Sequence, residues 1–178
     1  MENRENIQQK LKNFDLNNMD TRIISFLALF IAFTAVATYL HIPGPSSSYF
    51  NLGEVAIYTI ALTFGAKAGG IAGGVGSALM DLILGYSIWA PFTFVIKGLE
   101  GYVVGKIAHK EKESRFNRNI LAIAAGGTIM IIGYALTKAY LLSWAFVPPE
   151  IVIDLAQMIT GGVVAIPLSH HLNNYFRK

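Results

Sequence analysis

The sequence predicts an all-α integral membrane protein, a compact bundle of six transmembrane helices with both termini cytoplasmic. Three observations carry that expectation. Of 178 residues, 53% are hydrophobic and only 14% charged, with a mean hydropathy of +0.48. Ordinary globular domains carry about 25% charged residues, so too little polar surface remains here to cover a water-facing exterior. That deficit excludes a disordered chain, a nucleic-acid-binding module and a typical soluble enzyme. Second, long apolar runs recur between breaks rich in Gly, Pro or charge. Third, the basic residues gather on one side of the topology those runs imply.

In chain order, residues 1–20 form a polar N-terminal segment and residues 21–178 the membrane domain. Ile7, Leu11 and Phe14, spaced i, i+4 and i+7, suit either a short amphipathic helix at the membrane interface or a frayed tail. Ile23–Leu40 is an uncharged run of 18 residues, close to the roughly 20 that cross a bilayer. Ala35-Val36-Ala37 imitates a signal-peptide cleavage site, but a long polar segment precedes the run and apolar residues continue past it, which favours a retained helix.

Further runs follow at Leu52–Phe64, Ala68–Tyr86, Phe92–Ala108, Asn119–Leu142 and Ile151–Leu172. The second span is short, reaching only about 20 Å, and is expected to be tilted or broken. Fusing it with the third across Gly65–Gly69 would export the Lys106–Arg118 cluster. Kept separate, six spans leave Arg4, Lys10, Lys12, Arg22, Lys67, Lys106, Lys110, Lys112, Arg115, Arg118, Arg177 and Lys178 on the cytoplasmic side. Asn51-Leu52-Gly53-Glu54 has the pattern of a capping box, with Asn51 as N-cap and Glu54 at the third helical position. The preceding outer loop, Ile42–Phe50, is either a connector or a lid over an outward-facing pocket.

Lys97 and Lys138 fall inside spans, where a charge costs at least a few kcal/mol unless it faces a partner or a polar cavity. Both belong to the outer half, as do Glu54, Asp81 and Asp154, with Glu100 one turn below Lys97. These charges suggest a polar pocket open to the outside. Structural pairing, as between Lys97 and Glu100 at i, i+3, is the competing reading. Asn51, Tyr58, Tyr86, Trp89, Tyr134, Tyr140, Trp144 and Gln157 can add hydrogen bonds or stacking faces at that level, although Trp89 and Trp144 equally suit an interfacial aromatic belt. The remaining acids, Glu150 among them, are read as tail or loop residues.

Other chemistry finds little support. Gly65/Gly69/Gly73, Gly70/Gly74 and Gly101/Gly105 form small-xxx-small stripes suited to close helix packing. No GxxxxGK[ST] motif is present for ATP, and no GxSxG or HExxH for hydrolysis. With Cys absent and His41, His109, His170 and His171 scattered, neither a metal set nor a cofactor is expected.

Ala28-x-x-x-Ala32, Asn51-Leu52-Gly53-Glu54 after a Pro-rich outer loop, Asp81–Tyr86 followed by Trp89-Ala90-Pro91, and Lys97-Gly98-Leu99-Glu100-Gly101 together resemble an S component, the substrate-binding membrane subunit of energy-coupling factor (ECF) vitamin transporters. The resemblance runs from about Arg22 to the C-terminus and is nearest the riboflavin, hydroxymethylpyrimidine and pyridoxine branch. It implies a prokaryotic plasma-membrane protein, not itself an enzyme, that binds one small water-soluble vitamin and docks on a transmembrane coupling subunit driven by two ATPases. It also implies that Ala28 and Ala32 face the coupling subunit, that Ile42–Phe50 gates the pocket and that the last three helices line it. Nickel and cobalt members use an N-terminal histidine, which Met1-Glu2-Asn3 lacks, so a metal substrate is not expected.

The substrate-binding set is therefore expected to be Asn51, Glu54, Asp81, Trp89, Lys97, Glu100, Tyr134, Lys138 and Gln157. The rival is a solitary ion-coupled secondary transporter of a small polar metabolite, using Asp81, Glu100 and the lysines as a relay.

Overall fold

The computed structural model describes residues 4–16, 19–44, 48–109 and 115–176. Among these the chain forms α1 (Arg4–Asn13), α2 (Thr21–Tyr39), β1 (His41–Pro43), β2 (Tyr49–Asn51), α3 (Gly53–Phe64), α4 (Ala66–Ile83), α5 (Ala90–Ala108), α6 (Arg115–Leu141), a 3₁₀ turn (Trp144–Phe146) and α7 (Val147–Phe176). The protein is all-α apart from β1 and β2, which pair antiparallel with Ile42 opposite Phe50. Three helical stretches, Thr21–Tyr39, Phe116–Leu141 and Trp144–Phe176, are long and apolar enough to cross a bilayer. α4 and α5 match α2 in length, but glycines and charged residues dilute their apolar content.

α3 explains how an apolar run of 12 residues belongs in the bundle. It is the central helix, and every residue from Gly53 to Phe64 except Val55 is buried. On one side Ile60 and Phe64 pack with Leu27 and Phe30 of α2 and Ala68 and Ala72 of α4. On the other, Ile57, Tyr58, Ala61 and Leu62 meet Val104, Ala122, Ile123 and Ala165. A helix enclosed on all sides needs no bilayer-matched length. It ends at Gly65, whose φ of +91° is open to glycine and strained for other residues, so α3 and α4 stay distinct.

α4 and α5 approach closely enough to exclude side chains between them. A Cβ at Gly73 would sit 2.7 Å from the Lys97 carbonyl oxygen, and one at Gly74 would sit 2.8 Å from that of Phe94. The small-residue stripes therefore act as packing surfaces. The outward faces are apolar instead: Leu29, Val36, Ile132, Val152 and Val163 are all more than half exposed, a pattern suited to lipid rather than water.

Two sequence expectations change. α1 is packed on the bundle and is not a frayed tail, because Leu11 and Phe14 are buried against Ile23, Leu27 and Phe64. The buried Gln8 amide donates to the Thr63 carbonyl (2.9 Å) and to Asn173 Oδ1 (2.5 Å), meeting an otherwise open carbonyl at the C-terminal end of α3. The capping box is also not formed, because the N-cap of α3 is Leu52, not Asn51, and it offers no side-chain cap hydrogen bond. Asn51 Oδ1 accepts from Gly53 N at 2.7 Å, whereas Glu54 turns inward to Lys97. The need of a buried ammonium for a counter-charge outweighs a cap hydrogen bond.

Candidate functional site

α3, α5 and α7 begin, and α4 and α6 end, at the end of the bundle carrying the β1–β2 hairpin. This up-and-down order brings residues distant in sequence to one level. A cavity of about 40 Å³ lies there, lined by residues of β2, α4, α5, α6 and α7 together with Ser48, Tyr86 and Trp89. Gly85, at φ +86°, reverses the chain after α4. Tyr86 N then bonds the Asp81 carbonyl (2.7 Å) and Trp89 N that of Tyr86 (2.8 Å), which sets both rings at the cavity.

Two buried charge clusters support the walls. Lys97 Nζ contacts Glu54 Oε1, Glu100 Oε2 at 3.0 Å and Met130 Sδ at 2.7 Å, and lies 5.5 Å from the Tyr134 ring centroid. Tyr58 donates its hydroxyl to Glu100 Oε1 at 2.6 Å. In the second cluster, Lys138 Nζ contacts both Glu150 Oε2 and Ser48 Oγ, and lies 5.8 Å from the Trp89 ring centroid. Ammonium, carboxylate and hydroxyl are each buried there, so each satisfies another that water does not reach.

The hairpin closes over the cavity through polar contacts with three helices. Tyr49 OH donates to Asp81 Oδ1 of α4 at 2.6 Å. Asn51 N and Nδ2 both donate to Gln157 Oε1 of α7, at 2.8 and 2.6 Å. Ser48 donates to Glu150 and accepts from Lys138 of α6. Burial and the charge of Asp81 push the Tyr49 phenol well above its ordinary range, so it remains a donor. Residues 45–47 of the expected gating loop lie outside the described residues.

Of the nine expected site residues, Asn51, Asp81, Trp89, Lys97, Tyr134 and Gln157 line the cavity. Glu54, Glu100 and Lys138 stand behind it as ion-pair partners. Expectation placed Glu150 in a loop; it is instead in the first turn of α7 and holds Lys138. Its signal was Pro148-Pro149, since proline favours the first helical turn. Ser48, Tyr49 and Thr93 also line the cavity without having been singled out, and short hydroxylic residues in a loop or an apolar span give no periodic signal. Trp89 borders the cavity, whereas Trp144 is 69% exposed and Tyr140 80%. Ala28 and Ala32 lie on the exposed face of α2, opposite its buried Leu27, Phe30 and Thr34. No group of three metal-ligating side chains occurs among the described residues.

Comparison with known proteins identifies the family. The family model for the S component of the ECF-type riboflavin transporter matches residues 18–174. The chain is 37% identical over 142 residues to a Pyrococcus woesei protein described as an uncharacterized protein in the gap 3' region, covering 79% of this chain and 94% of that one. It is also 28% identical over 171 residues to the thiamine precursor transporter HmpT of Lactococcus lactis subsp. cremoris, covering 92% and 98% of the two chains. This chain belongs to the S component family of ECF-type riboflavin transporters, the membrane-embedded components of a vitamin transporter.

Proposed function

We propose that the protein is the high-affinity substrate-binding subunit of an ECF-type importer in a prokaryotic plasma membrane, taking up a small water-soluble vitamin or precursor with a planar heterocycle. The observation that carries this reading is the cavity under the hairpin, where polar and aromatic side chains from four helices converge beneath a cover of hydrogen-bonded backbone. A concave site with a few fixed polar groups is the usual form of a small-molecule pocket.

In this reading six helices, α2 to α7, cross the bilayer, both termini are cytoplasmic, and the hairpin end faces outward. Asn51, Asp81, Trp89, Lys97, Tyr134 and Gln157 contact the vitamin, while Glu54, Glu100 and Lys138 hold the contacting groups in position. The exposed Ala28–Ala32 face of α2 docks on the transmembrane coupling subunit, whose two ATPases supply the energy, because small residues allow close helix approach. The chain is the binding component and not an enzyme.

The test is to purify the protein in detergent, identify any co-purified small molecule by mass spectrometry, and titrate that compound against tryptophan fluorescence. A tightly bound vitamin supports the proposal and names the substrate. No bound molecule and no response to flavins, pyrimidines, pyridoxine or thiamine overturns it. Flux in reconstituted vesicles without ATPases would then support the solitary transporter.

A further inference from the structure

We infer that the outer groove between α6 and α7 is a lipid site. It seats one tail of an anionic phospholipid of the cytoplasmic leaflet, with the headgroup at Asn119 and His170. The inference goes beyond vitamin binding and takes from the reading above only the orientation of the bundle.

Two cavities that share Ile166 make up the groove. One, of about 190 Å³, lies among Ile120, Ala124, Met158, Ile159 and Gly162. The other, of about 530 Å³, continues past Phe116 and Pro167 to Asn119, Ser169 and His170, at the end of the bundle away from the hairpin. Gly162 and Ala124 keep the first part open because neither carries bulk. Both helices belong to stretches long and apolar enough to cross a bilayer. Phe116, Ile120 and Ile159 are 47–59% exposed, so the groove opens to the surroundings of the bundle and not into its core.

Its length and polarity match one leaflet. From Met158 to His170, α7 rises about 18 Å, against roughly 15 Å for half the hydrocarbon core. A lipid tail therefore fits from the midplane to the headgroup level. The lining changes in the same direction, from isoleucine, alanine and glycine to amide, hydroxyl and imidazole.

Asn119 supplies an independent observation. It is 8% exposed and lines the groove, and its amide has no hydrogen-bond partner among the described residues. Its polar neighbours are engaged: Ser169 donates to the Ile166 carbonyl at 2.9 Å, and Asn173 accepts from Gln8 and donates to the Leu62 carbonyl. His170 Nε2 lies 3.1 Å from Asn174 Nδ2, which leaves its other ring nitrogen. Buried amides are rarely left without a partner, and a phosphate oxygen accepts from both amide and imidazole. Charge selects the headgroup. Lys106 to Arg118 holds five basic residues against two acidic ones, and Arg177 and Lys178 follow α7. A basic end of this kind favours anionic over zwitterionic lipid. A partner helix is the other conceivable occupant, but the small-residue face suited to close helix approach is on α2.

The test is native mass spectrometry of the full chain, stripped of lipid in detergent and titrated with phosphatidylglycerol or with phosphatidylcholine carrying the same tails. The expected result is one saturable phosphatidylglycerol per chain, bound at least about tenfold more tightly than phosphatidylcholine. Ala124→Trp fills the tail end of the groove from an exposed position, and Asn119→Leu removes the headgroup amide. Each should weaken phosphatidylglycerol binding by about tenfold or more.

Equal affinity for the two lipids, or binding without saturation, overturns the inference and leaves the groove as ordinary lipid-facing surface. So does phosphatidylglycerol binding that neither substitution changes, which would put the lipid elsewhere. Absence of lipid binding together with loss of assembly with the ATPases in Ala124→Trp overturns it in favour of a partner helix. The wild-type lipid pair and Ala124→Trp decide the matter even if Asn119→Leu does not fold. No arm reads vitamin binding, so failure here leaves the vitamin-binding reading in place.

Discussion

Lys138 offers the sharpest test of how the outer end is held. Its ammonium is fully buried, and Glu150, at 8% exposure, supplies the opposite charge. Lys138→Met leaves the Glu150 carboxylate in a site without water, and Glu150→Gln leaves the ammonium in the same position. Breaking a buried pair from one side costs about 3–5 kcal/mol, whereas replacing both members is often close to neutral. For a chain of this size each kcal/mol lowers Tm by roughly 2–4 °C, so each single variant should melt about 6–20 °C early. The double variant should recover most of that loss, because Ser48 can still donate to the new amide. The assay is thermal unfolding of detergent-purified, ligand-free protein, analysed as a double-mutant cycle. Single losses of about 1 kcal/mol or less that simply add would refute the reasoning, by showing that water reaches both groups.

Four further outcomes follow from particular contacts. Tyr49→Phe removes the hydroxyl that ties the hairpin to Asp81, so vitamin dissociation in stopped-flow should accelerate about tenfold or more; an unchanged rate would mean that the hairpin is no lid. Because burial holds the Tyr49 phenol neutral while an unfolded tyrosine ionises near pH 10, stability should fall as pH rises above about 10. In a pH series of melts, Tyr49→Phe should flatten that fall. Gly101→Leu drives a side chain into the Gly69 backbone and should abolish folded yield in size-exclusion chromatography, while Gly98→Ala, whose Cβ meets nothing nearer than 3.6 Å, should not. Ala28→Leu or Ala32→Leu, on the exposed face of α2, should spare vitamin binding yet block ATP-dependent uptake in cells, and normal uptake in both would refute the docking assignment.

The contrast between Lys97 and Glu150 shows what kind of information a sequence carries. Lys97 was legible because a charge inside an apolar run conflicts with its surroundings, and burial energetics demand a partner or a cavity. Glu150 gave no such conflict, since an acid beside Pro148-Pro149 suits the first turn of a helix whether or not it has a partner. Only the closure of α6 against α7 shows that it neutralises Lys138. Tyr49 and Ser48 were hidden for a related reason. Their roles come from a hairpin whose strands are three residues each, too short for any periodic signal, and pinned by contacts 32 and 102 residues away.

The sequence by itself determined the lipid-suited exterior, the helical segments, the glycine stripes and the concentration of polar residues at one end, because all of these follow from local composition and period. α3 marks the boundary. Its length was readable, but its enclosure by α2, α4, α5 and α7 was not. Tertiary structure alone decided which residues line the cavity and which stand behind it, that α1 packs on the bundle, and that Asp154 keeps an oxygen without a partner. Those are matters of which side chains meet across long sequence separations, and packing decides them, since the same charges could be paired, capped or left waiting for a ligand with no change in their spacing.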